Sequence, residues 1–343
     1  MAEPIGIQIR NLYKIFGPDA AALIEKVRTG TTKTELNEKY GAVLGLNNIN
    51  MDMAAGQIQV IMGLSGSGKS TLIRHINRLI DPTAGEVLVG GDDVVKMSPE
   101  ALREFRRHKT AMVFQKFALL PNRTVLENTG YGLEVQGVPR EKRIETSMRW
   151  IERVGLKGFE KKYPNQLSGG MQQRVGLARA LSNDAPILLM DEAFSALDPL
   201  IRVDMQSVLL DLQKEIRKTI VFITHDLDEA LRLGDSIAIL RDGEIIQMGS
   251  SQDIVLKPAN DYIANFVREV NRGRVIHVEK AMSPLRADTA LPAASVAAGT
   301  SLDDAMKHLV ARGADRLTVT DGQNRPLGVI DSATIVAALV GGV

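Results

Sequence analysis

Gln59-Val60-Ile61-Met62-Gly63-Leu64-Ser65-Gly66-Ser67-Gly68-Lys69-Ser70-Thr71 is the stretch that decides the fold. Gln59 to Met62 reads as a short buried strand, the next eight residues fit G-x-x-x-x-G-K-S, and Thr71 to Leu79 continues with helical spacing. A strand, a glycine-rich turn and a helix in that order make a phosphate loop, because glycines let backbone N–H groups turn inward around phosphate oxygens at a helix N-terminus. Gly63, Leu64, Ser65, Gly66, Ser67, Gly68 and Thr71 would then surround the phosphates of a nucleoside triphosphate. Lys69 would reach the β- and γ-phosphates, and the Ser70 hydroxyl would ligate Mg²⁺. The competing reading is a Gly/Ser-rich surface turn, which the flanking strand and helix disfavour.

Outward from this loop, Ile187 to Met190 and Ile220 to Thr224 are further short apolar runs of buried-strand type. Lys142 to Val154 and Pro199 to Lys214 carry helical spacing between them, with Leu209, Leu212 and Ile216 on one stripe. Strands alternating with helices predict an α/β fold around a parallel sheet. Pro18 to Gly45 interrupts the first strand region with two short helix-like pieces, one opened by the capping-box sequence Thr32-Lys33-Thr34-Glu35, and reads as an insertion. With 343 residues, two domains are expected. Ala, Gly and Pro gather between Ala281 and Gly299, which places the boundary near 270, giving domains 1–270 and 271–343.

The formal net charge of +1 provides no global field for nucleic acid or anionic lipid, so any anion site must be local. The absence of cysteine excludes disulfides, thiolate metal sites and a cysteine nucleophile. Met1 to Arg10 lacks the form of a secretory signal, and no apolar run approaches the roughly 18 residues of a membrane span, so a soluble chain is expected.

Ile187-Leu188-Leu189-Met190-Asp191-Glu192 is a strand ending in two carboxylates that point to opposite sides. Asp191 would hold Mg²⁺, and Glu192 would orient and polarise the water attacking the γ-phosphate. Alone, the pair is compatible with a solvated loop entry; beside a phosphate loop it is not idle. Leu167-Ser168-Gly169-Gly170-Met171-Gln172-Gln173 precedes the helical Arg174 to Leu181 and offers a second anion-binding entry. One nucleotide does not need two glycine-rich cradles, so this one would serve the nucleotide of a second subunit; an ordinary capped helix is the alternative.

The ordered set of motifs resembles the ATP-binding cassette (ABC) ATPases over nearly all of residues 5 to 270. The resemblance implies ATP and Mg²⁺ as ligands and a homodimer that sandwiches two ATP molecules. It implies that Gln115, in Val113-Phe114-Gln115, senses Mg²⁺ and the attacking water, close to the surface that receives membrane partners, for which Phe117 to Leu120 are candidates. Asp198, in Ser195-Ala196-Leu197-Asp198, would belong to the loop coupling the paired sites, and His225, in Ile223-Thr224-His225-Asp226, would contact the γ-phosphate. Phe16 would stack on adenine, with Tyr13 close by and either aromatic able to serve as core.

Within the class, the insertion 18–45 and Asp191-Glu192-Ala193-Phe194-Ser195-Ala196-Leu197-Asp198-Pro199-Leu200-Ile201-Arg202 resemble the importers of glycine betaine, proline betaine and choline-like osmoprotectants. That implies transmembrane permease subunits as partners, an extracytoplasmic solute-binding protein acting indirectly, no nucleic acid, and peripheral attachment to the cytoplasmic face of the inner membrane. The tail is similar to one cystathionine-beta-synthase-type (CBS) module in its β-α-β-β-α order and in Leu327-Gly328-Val329-Ile330-Asp331. There is room for one copy, so a complete ligand cleft would need pairing across a dimer; a small packing domain without ligand is the alternative. A non-transport ABC ATPase acting on nucleic acid or ribosomes is the second functional reading, disfavoured by the single cassette and the lack of a basic, aromatic-rich stripe. In a third, the tail makes the chain a nucleotide or ionic-strength sensor.

Overall fold

The computed structural model describes residues 3–285 and 291–340, and so part of the Ala/Gly/Pro-rich stretch lies outside the described residues. Contacts divide the chain into Met1–Met248 and Gly249–Val343.

In the first unit, strands β1 (Ile7–Phe16) and β2 (Val43–Met53) form an antiparallel pair, with the expected insertion between them folded as helices Ala20–Arg28 and Lys33–Tyr40. The second helix starts with the capping box read from sequence: the Thr32 hydroxyl accepts from Glu35 N–H while the Glu35 carboxylate accepts from Thr32 N–H. The insertion has its own small core of Leu23, Val27 and Leu36 against Tyr13, Ile15 and Leu44. Next come β3 (Ile58–Met62), β4 (Ala84–Val89), β5 (Asp92–Asp93), β6 (Thr110–Phe114), β7 (Ile187–Asp191), β8 (Thr219–Thr224), β9 (Ser236–Arg241) and β10 (Glu244–Gly249).

Six of these strands make one sheet in the order β10-β9-β3-β8-β7-β6, in which β9-β3-β8-β7-β6 pair in parallel. Every residue of β3, β7 and β8 is buried, as strands covered on both faces require, which is why they read as continuous apolar runs. A second, antiparallel sheet, β2-β1-β4-β5, shares its core with the first through Ile7, Ile9, Leu46 and Ile49 packed with Ile61, Leu72, Ile73 and Leu240. The predicted helices appear as Lys69–Ile76, Arg140–Arg153, Gly169–Ser182 and Pro199–Ile216. Parallel strands carry their following loops at one end, so the loops after β3, β6, β7 and β8 meet there.

In the second unit, β11 (Ser283–Pro284), β12 (Ser295–Ala297), β13 (Arg316–Thr320) and β14 (Pro326–Asp331) make a sheet in the order β11-β14-β13-β12. Helices Leu302–Arg312 and Ser332–Val340 bury Leu302, Ala305, Leu309, Ile335 and Ala338 with Leu317, Val319 and Ile330. Ser301 caps the first of them by accepting from Asp304 N–H. The division after Met248 precedes the boundary expected near 270, because Leu256 packs into this core and Gln252 bonds His277.

Candidate functional site

The loop after β3 is shaped by two glycines, Gly63 and Gly68, at which a side chain would collide with backbone. Gly63 has φ +155° and Gly68 φ +104°; a Cβ on Gly63 would lie 2.2 Å from the Leu240 carbonyl, and one on Gly68 would lie 2.7 Å from the Gly45 carbonyl. Lys69, the first residue of the following helix, is buried, and its ammonium donates to the carbonyls of Gly63 at 2.8 Å and Leu64 at 3.0 Å. Burial pushes the Lys69 pKa down, partly opposed by the carboxylates of Glu192 and Asp191. The buried Ser67 hydroxyl finds no partner within the protein. A buried hydroxyl and a cation bonded only to carbonyls and a distant carboxylate form a site built for an external anion.

The loops after β6, β7 and β8 bring the other groups. Ser70 donates to Asp191 at 2.8 Å, and Glu192 Oε1 stands 3.7 Å from the Lys69 ammonium. Glu192 holds φ 47°, a left-handed conformation uncommon for a residue with a Cβ, and this turns its carboxylate toward the loop. The Gln115 amide donates to Glu192 Oε2 and to the Ser195 hydroxyl, both at 3.2 Å. His225 Nδ1 lies 3.5 Å from the same Glu192 oxygen. Three of the predicted groups, Lys69, Gln115 and His225, thus converge on Glu192. The adjoining cleft, about 290 Å³, is lined by Phe16, Gly45, Ser65, Gly66, Lys69 and Ser70, among others. Phe16 faces this cleft, whereas Tyr13 is buried in the core of the insertion, which separates the two candidate aromatics.

Ser168 caps the helix Gly169–Ser182, accepting from Met171 N–H at 3.3 Å, and Asp198 precedes the helix Pro199–Ile216. Ser168, Gly169, Gly170 and Asp198 are not among the residues lining the phosphate-loop cleft of their own chain. The ABC transporter family matches residues 46–195. Along 331 residues the chain is 50% identical to the glycine betaine transport ATP-binding protein OpuAA of Bacillus subtilis, covering 96% of this chain and 77% of that one. The chain belongs to the ATP-binding subunits of ABC transporters.

It is 40% identical over 336 residues to the trimethylamine N-oxide transport system ATP-binding protein TmoW of Pelagibacter ubique, with 98% of this chain and 97% of that one aligned. The dimeric structure of the bacterial ABC transporter cassette MJ0796 superposes with a TM-score of 0.60 at 34% identity, covering 71% of this chain and 98% of that one. As an ABC subunit the protein is an ATPase of the P-loop ABC fold, and its family works with membrane permeases. Among the described residues, no helix is long and apolar enough to cross a membrane.

Two arginines of this ABC subunit were not identified from sequence. Arg74 binds Asp191 Oδ2 at 3.1 Å, so the Asp191 carboxylate is held on one oxygen by Ser70 and on the other by Arg74. The spacing held a signal: Ser70 and Arg74 are four residues apart and share a helix face. Arg179, on the helix that Ser168 caps, donates to the carbonyls of Ala118 at 2.7 Å and Phe117 at 3.1 Å. Phe117 and Ala118 both hold left-handed φ, 50° and 48°, directly after the Gln115 loop turns, and only the tertiary fold brings Arg179 to them. Phe117, Leu119 and Leu120 are partly buried, and the Leu120 backbone is bonded on both sides by the fully buried Asn128.

Proposed function

We propose that this subunit hydrolyses ATP to energise import of a quaternary-amine osmoprotectant, glycine betaine in the first instance, through a membrane permease. The observation that carries the solute assignment is the 50% identity along 96% of the chain with a glycine betaine transport ATP-binding protein. The full-length similarity to a trimethylamine N-oxide transport subunit makes that trimethylated solute the competitor to test. Attachment is peripheral, at the cytoplasmic face of the inner membrane, and a solute-binding protein delivers cargo to the permease from the other side.

Each residue of the site has a role in this reading. Gly63 to Gly68 and Thr71 wrap the phosphates, Lys69 exchanges its carbonyl partners for phosphate oxygens, and Phe16 stacks on the base. Glu192 accepts a proton from, and orients, the attacking water; Gln115 and His225 hold its carboxylate in place and sense the γ-phosphate. Ser70, Asp191 and Gln115 supply a hydroxyl, a carboxylate and an amide oxygen, hard oxygen donors suited to Mg²⁺ arriving with the nucleotide. When bound, Mg²⁺ would neutralise charge on the phosphates.

Two copies sandwich two ATP molecules, each phosphate loop facing the partner's Ser168, Gly169 and Gly170, with Asp198 at the seam. Support comes from a signature entry that stands outside its own chain's cleft and from a structural neighbour described as dimeric. ATP favours the closed dimer by binding it more tightly than the open one, and hydrolysis removes that preference. The C-terminal domain is a single CBS-like accessory module, supported by its β-α-β-β-α order from Ser295 to Val340.

Uptake of labelled glycine betaine, choline and trimethylamine N-oxide, at low and high osmolality, tests this reading in cells carrying the chain with its permease. Glycine betaine uptake that is present in wild type and lost in Glu192→Gln is expected. Uptake unaffected by Glu192→Gln would overturn ATP-driven import, and exclusive uptake of trimethylamine N-oxide would overturn the solute assignment.

A further inference from the structure

The insertion between β1 and β2 does more than decorate the fold, because it reaches the phosphate-loop cleft. Lys33, the first residue of its second helix, lines that cleft together with Val43, Gly45, Ser65 and Gly66. The Lys33 ammonium stands 3.6 Å from Asp242 Oδ1, with both side chains well exposed, a pairing that contributes little by itself. Asp242 keeps a second cation, Arg241, 3.5 Å from its other oxygen, so Lys33 can leave without stranding a carboxylate. The turn that carries Asp242 is fixed against the phosphate loop: Gly243 N–H donates to the Ser67 carbonyl at 3.0 Å, and its carbonyl accepts from Asn47 N–H at 2.8 Å. Asp242 and Gly243 hold φ 52° and 87°, as a two-residue turn between β9 and β10 requires.

Lys33 therefore waits on a weak, replaceable partner beside a loop built for polyphosphate. Its helix is anchored independently of it, by the Thr32–Glu35 capping box and by Leu36 in the core of the insertion. We propose that Lys33 is a nucleotide-binding residue: when ATP enters, its ammonium moves from Asp242 to the phosphate oxygens, and the insertion becomes part of the ATP site. The proposal rests on the cleft being that site. A flexible point charge on a long stem suits this exchange, since it can follow a polyphosphate without fixed geometry.

The experiment measures equilibrium binding of ATP, ADP and AMP to the purified full-length chain, as wild type, Lys33→Gln, Lys33→Arg and Asp242→Asn. Lys33→Gln is expected to weaken ATP about five- to tenfold, ADP less, and AMP less than about twofold, because the lost attraction scales with phosphate charge. Lys33→Arg should restore ATP affinity, and Asp242→Asn, which removes the competing carboxylate, should bind ATP at least as tightly as wild type. Thermal unfolding without nucleotide should be the same for Lys33→Gln and wild type. An unchanged ATP affinity in Lys33→Gln, or an equal loss for all three nucleotides, would overturn the proposal. Failure of the wild type itself to bind ATP would overturn the underlying site instead, a result distinguishable from the first.

Discussion

Glu192 Oε1 lies 3.7 Å from the Lys69 ammonium, while its other oxygen receives Gln115 at 3.2 Å and faces His225 at 3.5 Å. One carboxylate thus joins the loops after β3, β6, β7 and β8, so a single change at this atom group should separate binding from chemistry. Glu192→Gln keeps the shape and loses the base. It is expected to retain ATP binding within a few-fold and to lower turnover by about 10²-fold or more. Steady-state phosphate release and equilibrium ATP binding check this, and a variant turning over at wild-type rate would remove Glu192 from the role of base.

Two glycines of the same loop should respond very unequally to alanine. At Gly63 the added Cβ meets the Leu240 carbonyl at 2.2 Å and the Ser67 hydroxyl at 2.7 Å, so the loop must open or the strand end must shift. At Gly66, with φ +80°, no heavy atom lies within 4 Å, leaving only the backbone cost of about 1 kcal/mol. Gly63→Ala should lose ATP affinity by more than tenfold, whereas Gly66→Ala should fold and shift the urea midpoint slightly. Comparable ATP affinities in the two variants would count against the close packing of Gly63.

Ser168 accepts a single helix-end N–H, from Met171 at 3.3 Å, and is exposed. Ser168→Arg should therefore cost about 1 kcal/mol of stability through the lost cap and leave monomer ATP binding intact. ATP-driven dimerisation, followed by light scattering in the Glu192→Gln background, should disappear because an arginine fills the face offered to the partner's nucleotide. Dimerisation equal to the parent would show that Ser168 is only a cap.

His75, on the helix that follows the phosphate loop, is buried, and burial pushes its pKa from 6.5 down to about 4. Nδ1 donates to the Thr71 carbonyl at 2.7 Å, and the cost of burying a charged ring outweighs the support that Thr71 and Asp81 give the protonated form. A lowered pKa in the fold means that the unfolded chain binds the extra proton first. The contribution is fully present above pH 6.5 and is lost as pH falls from 6.5 to about 4, by on the order of 3 kcal/mol. His75→Gln should flatten the pH dependence of the urea midpoint over that interval. An unaltered slope would place the acid sensitivity elsewhere.

Much of the site was legible because its motifs are local. The residues from Gly63 to Ser70 are contiguous, and their glycines, lysine and serine each act through positions that the strand–loop–helix geometry already sets. The capping box at Thr32 was legible for the same reason: donor and acceptor are three residues apart. Arg179, Lys33 and the choice between Phe16 and Tyr13 were not legible. Each depends on contacts between segments far apart in the chain, as when Arg179 reaches the carbonyls of Phe117 and Ala118.

By itself the sequence determined the α/β class, the phosphate loop, the order of the ATPase motifs and the existence of the insertion, since periodicity and glycine spacing act within one strand, turn or helix. The tertiary structure decided that Lys69, Gln115 and His225 meet at one carboxylate, that Tyr13 is core while Phe16 faces the cleft, and that Lys33 shares the cleft with the phosphate loop. The reason is physical. Pairing β3 with β8, β8 with β7 and β7 with β6 in parallel sets four loop ends side by side, and neither the strand order nor the packing of the insertion is encoded at any single position.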